Sequence, residues 1–277
     1  MSHSYTPIKD ALRRQLRSIP FVEYLLRRIL LYSRRKIARE NLKSNNFFSD
    51  SRGDIINDYC FSIKFTYRSL PQVVNIEAIV RYLKSNNVAG SYVEAGVFTG
   101  GASAFMLRSL LRNNLQLTDY WGFDSFEGMP LPSQQDGNHG SNWIQGVDFD
   151  KLDLSSKYNG TSINKADYLE VLEYLRSSGY PHDKIHLVKG WFHETLPVFR
   201  SQIKEIALLR IDADFYEPTA EVMFNLYSQV VNRGVVIIDD YGAFPGCKQA
   251  IDEFFSKYRL THPLHYVDDS IYYFIKS

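Results

Sequence analysis

The apolar positions of the chain follow two alternating rhythms. Ile206–Ile211 and residues 234–238 are near-continuous apolar runs, the pattern of strands covered on both faces in a parallel sheet. Shorter strand-like segments lie at 91–94, 120–123 and 184–188. Between the runs lie segments of helical period at 76–84, Gly101–Arg112, 165–177, 194–200, 218–231 and 247–258. Residues 264–267 and 271–275 predict a hairpin whose turn holds Asp268 and Asp269, acids that bond their own backbone readily. This regular alternation predicts an α/β fold with a mostly parallel sheet and helices on both faces.

Two segments stand outside the alternation. Residues 8–42 are helical in character, with Ile19, Phe21, Val22, Leu25, Leu26, Ile29, Leu30 and Leu31 among arginine pairs and Pro20 placed to start a second helix. This N-terminal helical arm is expected to pack or dimerise with its arginines on a solvated face; basic amphipathic helices also dock on anionic membranes. The polar stretch 45–58 predicts a boundary, with the arm and linker over 1–58 and the catalytic domain over 59–277. Residues 130–162 are too long for a simple connection. With His139, Trp143 and several carboxylates they suit a flap over a polar acceptor, or else a plain surface loop.

The 277 residues, 44% hydrophobic, suffice for one large α/β domain and an accessory segment. Eleven lysines and arginines face three acids in residues 1–43, a balance of +8 that leaves −7 for the remainder. A globally basic nucleic-acid binder is therefore not expected, and any affinity for anionic surfaces is confined to the arm. Cys60 and Cys247 are the only cysteines, too few for a disulfide framework, and are expected to pack inside. The first residues lack an apolar run with a cleavage site, and no stretch reaches the roughly 18 apolar residues of a membrane span, so a soluble, cytoplasmic protein is expected.

The candidate chemistry lies where the strands end. Asp212 follows one long apolar run, and Asp239 with Asp240 follows the other. The ends of neighbouring strands lie about 5 Å apart. Three carboxylates would then share one small volume, which is costly unless a cation or proton relieves it. An all-oxygen set suits magnesium, or manganese or calcium in its place. The first strand passes into its helix through Gly96, Gly100 and Gly101, a spacing unlike the dinucleotide fingerprint. Glu94, facing that turn, would repel phosphates and attract the amino group of an amino-acid-like ligand. Asp124, ending the second strand, is placed to accept hydrogen bonds from ribose hydroxyls. Trp191 and Phe192 follow the third strand, where they either stack on a base or fill the core. Together these features favour an adenosine-bearing ligand without phosphates.

From about residue 65 to 275 the chain resembles the macrocin O-methyltransferase family, enzymes that use S-adenosylmethionine and magnesium to methylate sugar hydroxyls. The resemblance rests on Glu94-Ala-Gly-Val-Phe-Thr-Gly-Gly101, Asp124-Ser-Phe-Glu-Gly128, Lys189-Gly-Trp-Phe192 with Glu194-Thr-Leu-Pro197, Arg210-Ile-Asp-Ala-Asp-Phe-Tyr216 and Asp239-Asp-Tyr241, in that order. It implies a class I methyltransferase (Rossmann-like) sheet. It implies a cofactor pocket drawing on Glu94, Gly96, Val97, Phe98, Asp124, Ser125, Phe126, Gly128, Trp191 and Phe192. It also implies magnesium on Asp212, Asp239 and Asp240, and Asp214 as general base with Asp212 as the alternative. A homo-oligomer is expected, because family members often use the N-terminal region for dimer contacts and acceptor binding. Two rival enzymes are a metal-dependent glycosyltransferase using the Asp-x-Asp form of Asp212-Ala213-Asp214, and a methyltransferase of catechol-like phenols. The glycosyltransferase would leave Glu94 and the glycine turn without a role. A third reading is a binding-only protein, which would take the cofactor but no metal.

Overall fold

The computed structural model describes residues 36, 52–62, 69–115, 119–138, 140, 160, 161 and 163–277. One compact unit ends at Lys64 and a second runs from Phe65 to Ser277. In the first, helix α1 spans Arg52–Ser62. The polar connection expected over 45–58 is therefore helical from residue 52, and the boundary expected after Asp58 falls inside a helix. The other arm positions in 8–42 apart from Lys36, together with His139 and Trp143, lie outside the described residues.

The second unit begins with α2 (Leu70–Ser85), which a capping box starts: Ser69 Oγ accepts from the Gln72 N–H, and the Gln72 side chain accepts from the Ser69 N–H. There follow β1 (Ser91–Ala95), α3 (Gly101–Arg112), β2 (Tyr120–Asp124), α4 (Tyr168–Arg176), β3 (Ile185–Lys189) and α5 (Phe192–Phe199). Then come β4 (Ile206–Ile211), α6 (Tyr216–Leu226), β5 (Val230–Ile238), α7 (Pro245–Tyr258), β6 (His265–Tyr266) and β7 (Tyr272–Ile275). The strands form one sheet in the order β3-β2-β1-β4-β5-β7-β6. β1 to β5 are mutually parallel, and β7 runs antiparallel to both β5 and β6.

Strand order reverses between β1 and β4, so right-handed crossovers place α3 and α4 on one face and α5 to α7 on the other. Covering on both faces explains why β1 and β4 are buried along their whole length. Val93, Phe123, Leu209, Val236 and Phe274 knit the strands to the α5–α7 layer, and Cys247 packs with them. Cys60 is buried as well.

One element departs from the periodicity. The helix expected over 218–231 stops at Leu226, a 3-10 turn covers Tyr227–Gln229, and β5 begins at Val230. Val230 pairs with Ile206 and Val235 with Leu208, so the sheet claims the segment that looked like a helical tail and bulges there. The hairpin forms as expected: Asp268 Oδ1 accepts the N–H groups of Ser270 and Ile271. Ser270 Oγ donates to the Asp239 carbonyl at 2.6 Å and so braces the end of β5. No described helix is long and apolar enough to cross a membrane.

Candidate active site

The reversal point gathers the ends of β1, β4 and β5. Past the strands, Asp212 N–H donates to the Ala95 carbonyl and Asp239 N–H to the Ile211 carbonyl, both at 2.8 Å. Gly96 has φ +92°, and a Cβ on it would overlap the Asp212 carbonyl. Its lack of a side chain thus serves the close approach of β1 to β4.

Arg210 lies inside the apolar β4 and is 2% exposed. Its Nη1 donates to Glu94 Oε1, and its Nη2 donates to both Asp212 Oδ2 and Asp239 Oδ1, each at 2.6 Å. Burial alone would make the guanidinium easier to deprotonate, but the charges of Asp212, Asp239 and Glu94 outweigh it and hold the arginine firmly charged. Glu94 Oε2 accepts from Ser103 Oγ, and from Tyr120 Oη at 3.1 Å. The Glu94 carboxylate, expected to face the ligand turn, is instead fully buried and bonded within the protein. A buried acid beside a buried arginine takes the nearest charge, and Arg210 is its cross-strand partner.

The acid oxygens that cluster within 4.8 Å of one another belong to Asp212, Asp214 and Asp240, while Asp239 and Asp212 share Arg210 Nη2. Desolvation, then the charges of Asp212 and Asp239, pushes the Asp214 carboxyl well above the usual carboxylate range. Desolvation, then the charges of Asp214 and Asp212, does the same to Asp240. The two are linked by a bond from Asp214 N–H to Asp240 Oδ2 at 3.1 Å. Asp214 holds a left-handed φ of +57°, a conformation that costs a non-glycine residue energy and tends to occur at working sites.

Beside the acids opens a cleft. Its lining includes Gly96, Phe98, Asp124, Ser125 and Gly128, the aromatic Trp191 and Phe192, and Asp212, Asp214, Pro218 and Glu221. Of the residues expected around the cofactor, Glu94, Val97 and Phe126 are not in this lining. Val97 and Phe126 act through their backbones: Asp124 Oδ2 accepts from Val97 and Phe98 N–H, and Oδ1 from Phe126 N–H, at 2.7 to 2.8 Å. Asp124 therefore ties the turn after β1 to the turn after β2 as well as bordering the cleft. Burial raises its carboxyl, against the opposing effect of those three bonds.

The sequence reading missed Arg210 as a charge partner and Asp136 altogether. An arginine within an apolar run was the available signal for the first, because a buried guanidinium demands acids around it. Asp136 sits 80 positions from the group it bonds, and nothing local announces that contact.

The family model described as Macrocin-O-methyltransferase (TylF) matches residues 15–276. The chain belongs to the macrocin O-methyltransferase family. Demethyldecarbamoylnovobiocin O-methyltransferase of Streptomyces niveus is 32% identical over 209 residues, 75% of this chain and 74% of that protein. The 8-demethyl-8-(2,3-dimethoxy-alpha-L-rhamnosyl)-tetracenomycin-C 4'-O-methyltransferase of Streptomyces olivaceus is 28% identical over 75% of this chain and 74% of its own. The solved structure of the O-methyltransferase NovP superposes with a TM-score of 0.62 at 32% identity, over 77% of this chain and 82% of that one. This macrocin-type chain thus has the class I methyltransferase sheet and is an S-adenosylmethionine-dependent O-methyltransferase.

Proposed function

We propose that the protein moves a methyl group from S-adenosylmethionine to a hydroxyl of a sugar or glycosylated small molecule, assisted by a divalent cation, magnesium by preference. The observation that carries this is the shared cleft: the nucleoside-directed Asp124, Trp191 and Phe192 border the same space as Asp212 and Asp214. The sugar class draws support from the Streptomyces olivaceus relative, whose name specifies a rhamnosyl-bearing acceptor.

The acids present fit a hard cation. Asp212, Asp214 and Asp240 supply only carboxylate oxygens, and desolvation together with the neighbouring acids raises the proton affinity of Asp214 and Asp240, as expected where positive charge is wanted. When bound, such a cation neutralises these acids and lowers the pKa of a hydroxyl placed on it, while S-adenosylmethionine supplies a methyl group activated by its sulfonium. Asp214 borders the cleft and takes the hydroxyl proton, with Asp212, which borders it too, as the alternative base. Asp240 steadies it by accepting the Asp214 N–H. Trp191 and Phe192 offer aromatic faces to the base, and Asp124 keeps the turn at Gly96 and Phe98 in shape beside the ribose.

Calorimetric titration with S-adenosylmethionine and its demethylated product, beside a nicotinamide dinucleotide and sugar nucleotides, with and without magnesium, tests the reading. Binding of the adenosylmethionine pair alone supports it and opens an acceptor screen over sugars and catechols. A sugar nucleotide bound only with magnesium, with no response to adenosylmethionine, would overturn it in favour of glycosyl transfer. Asp212→Asn should lower turnover about 100-fold or more while leaving cofactor affinity within a few-fold; full activity in that variant defeats the cation assignment.

A further inference from the structure

Helix α6 begins directly behind Asp214, yet its N-cap residue Phe215 supplies no side-chain hydrogen bond to the first turn. The missing acceptor comes from a distant part of the chain. Asp136, 3% exposed, accepts the Tyr216 N–H on Oδ1 at 2.8 Å. Its Oδ2 is held in turn by Ser133, whose N–H and Oγ both donate at 2.7 Å. The carboxylate is thus fixed by one segment and grips another, and its negative charge sits at the positive end of a helix.

Packing around Asp136 shows how little room the contact has. A Cβ on Gly246, in the first turn of α7, would overlap Asp136 Oδ1 and come within 3.0 Å of the Tyr216 nitrogen. A third segment therefore closes over the bond. The turn between β4 and α6 is then held at two points: Asp240 takes the N–H of Asp214, and Asp136 takes that of Tyr216. Between them Phe215 N–H folds back to the Ala213 carbonyl at 2.6 Å, and Asp214 keeps its left-handed φ. A conformation of that kind persists only where surrounding contacts over-determine it.

We propose that Asp136 is a positioning residue for the acid cluster: by clamping the Tyr216 N–H it fixes the strained turn that presents Asp214 to Asp212, Asp240 and the cleft. The proposal rests on the reading of Asp214 as part of the reaction site. It requires no contact between Asp136 and any ligand.

Manganese ions, S-adenosylhomocysteine and amide exchange test it on the full chain without a known acceptor. In Asp136→Ala, affinity for Mn²⁺, followed by water-proton relaxation, should weaken about 10- to 100-fold, the usual consequence of removing a group that orients ligands from behind. Affinity for S-adenosylhomocysteine should stay within threefold. Exchange of the Asp214 and Tyr216 amides should accelerate at least about tenfold while the β4 amides keep their protection. Asp136→Asn retains an oxygen for the Tyr216 N–H and should recover most of the Mn²⁺ affinity, whereas a role in bulk stability alone would leave Mn²⁺ binding of the folded fraction unchanged in every variant. If Asp136→Ala yields no cofactor-binding protein, Gly246→Ala carries the test, since its methyl displaces the same carboxylate; wild-type Mn²⁺ affinity there overturns the proposal. Wild-type Mn²⁺ affinity in a folded Asp136→Ala protein overturns it equally. Should the unaltered protein bind no Mn²⁺, it is the cation reading that fails, and unchanged protection at Tyr216 in Asp136→Ala then defeats the clamp separately.

Discussion

Glu77 on α2 is fully buried and accepts from Arg81 Nε at 2.9 Å, Ser109 Oγ at 2.6 Å, Asn113 Nδ2 at 3.0 Å and also from Arg112. Asp240, 6% exposed, forms no ion pair with another described residue, and neither does Asp214 beside it. The first acid has two cations and two neutral donors around it and joins α2 to α3. The second and its neighbour are desolvated, face further acids and hold on to protons as a result. A buried carboxylate supplied with cations is a structural fastening. A crowded pair denied them weakens the fold unless something positive arrives, and such pairs are found where chemistry is done.

Arg210 divides the two situations within the site itself. It satisfies Glu94, Asp212 and Asp239 and leaves Asp214 and Asp240 to each other. Arg210→Met, which keeps length and removes charge, should erase the contrast by leaving three more acids without their cation; a loss of about 3–5 kcal/mol in denaturant unfolding is expected. Glu77→Gln should sharpen it, costing about 1.5–3 kcal/mol through its charged hydrogen bonds and leaving S-adenosylhomocysteine affinity untouched. Asp240→Asn is the smallest change and has the opposite sign. The carboxyl of Asp240 titrates higher in the folded protein than in the unfolded chain, so the folded state binds the extra proton. Stability of the metal-free protein therefore falls as pH rises from the ordinary carboxylate value, about 4, through the raised folded one. Melting temperatures taken across that window in chelator should slope downward for the unaltered protein and less steeply for Asp240→Asn, with a modest gain for the variant at neutral pH.

What the chain disclosed in advance follows the range of the forces involved. β1, β4 and α3 were legible because burial on both faces of a strand, or one face of a helix, leaves a local period. The end of α6 was not, because Tyr227 to Val231 suits a helix locally and only pairing with Ile206 makes it turn and strand. In the site, the positions of Asp212, Asp239 and Asp240 at strand ends could be inferred from two apolar runs. Their allocation could not. That Arg210 reaches Asp212 and Asp239 while Asp214 and Asp240 lie together is a matter of side-chain placement across three strands. Asp136 lies further still from any local signal, its partner fixed only by the packing of α6 and α7.

The pairing of Glu94 with Arg210 also bears on how the sheet assembles. The two residues are direct cross-strand partners, in β1 and β4, whose ladder contains an irregularity between Ser91 and Tyr92. The other residues of these two strands are mostly apolar, so side-chain packing discriminates weakly between neighbouring alignments. A slip of one residue would carry Arg210 to the opposite face of the sheet and strand two opposite charges apart in a dry interior. A misaligned register is thereby penalised, and the ion pair helps to fix the alignment of β1 on β4 beside which the cleft opens.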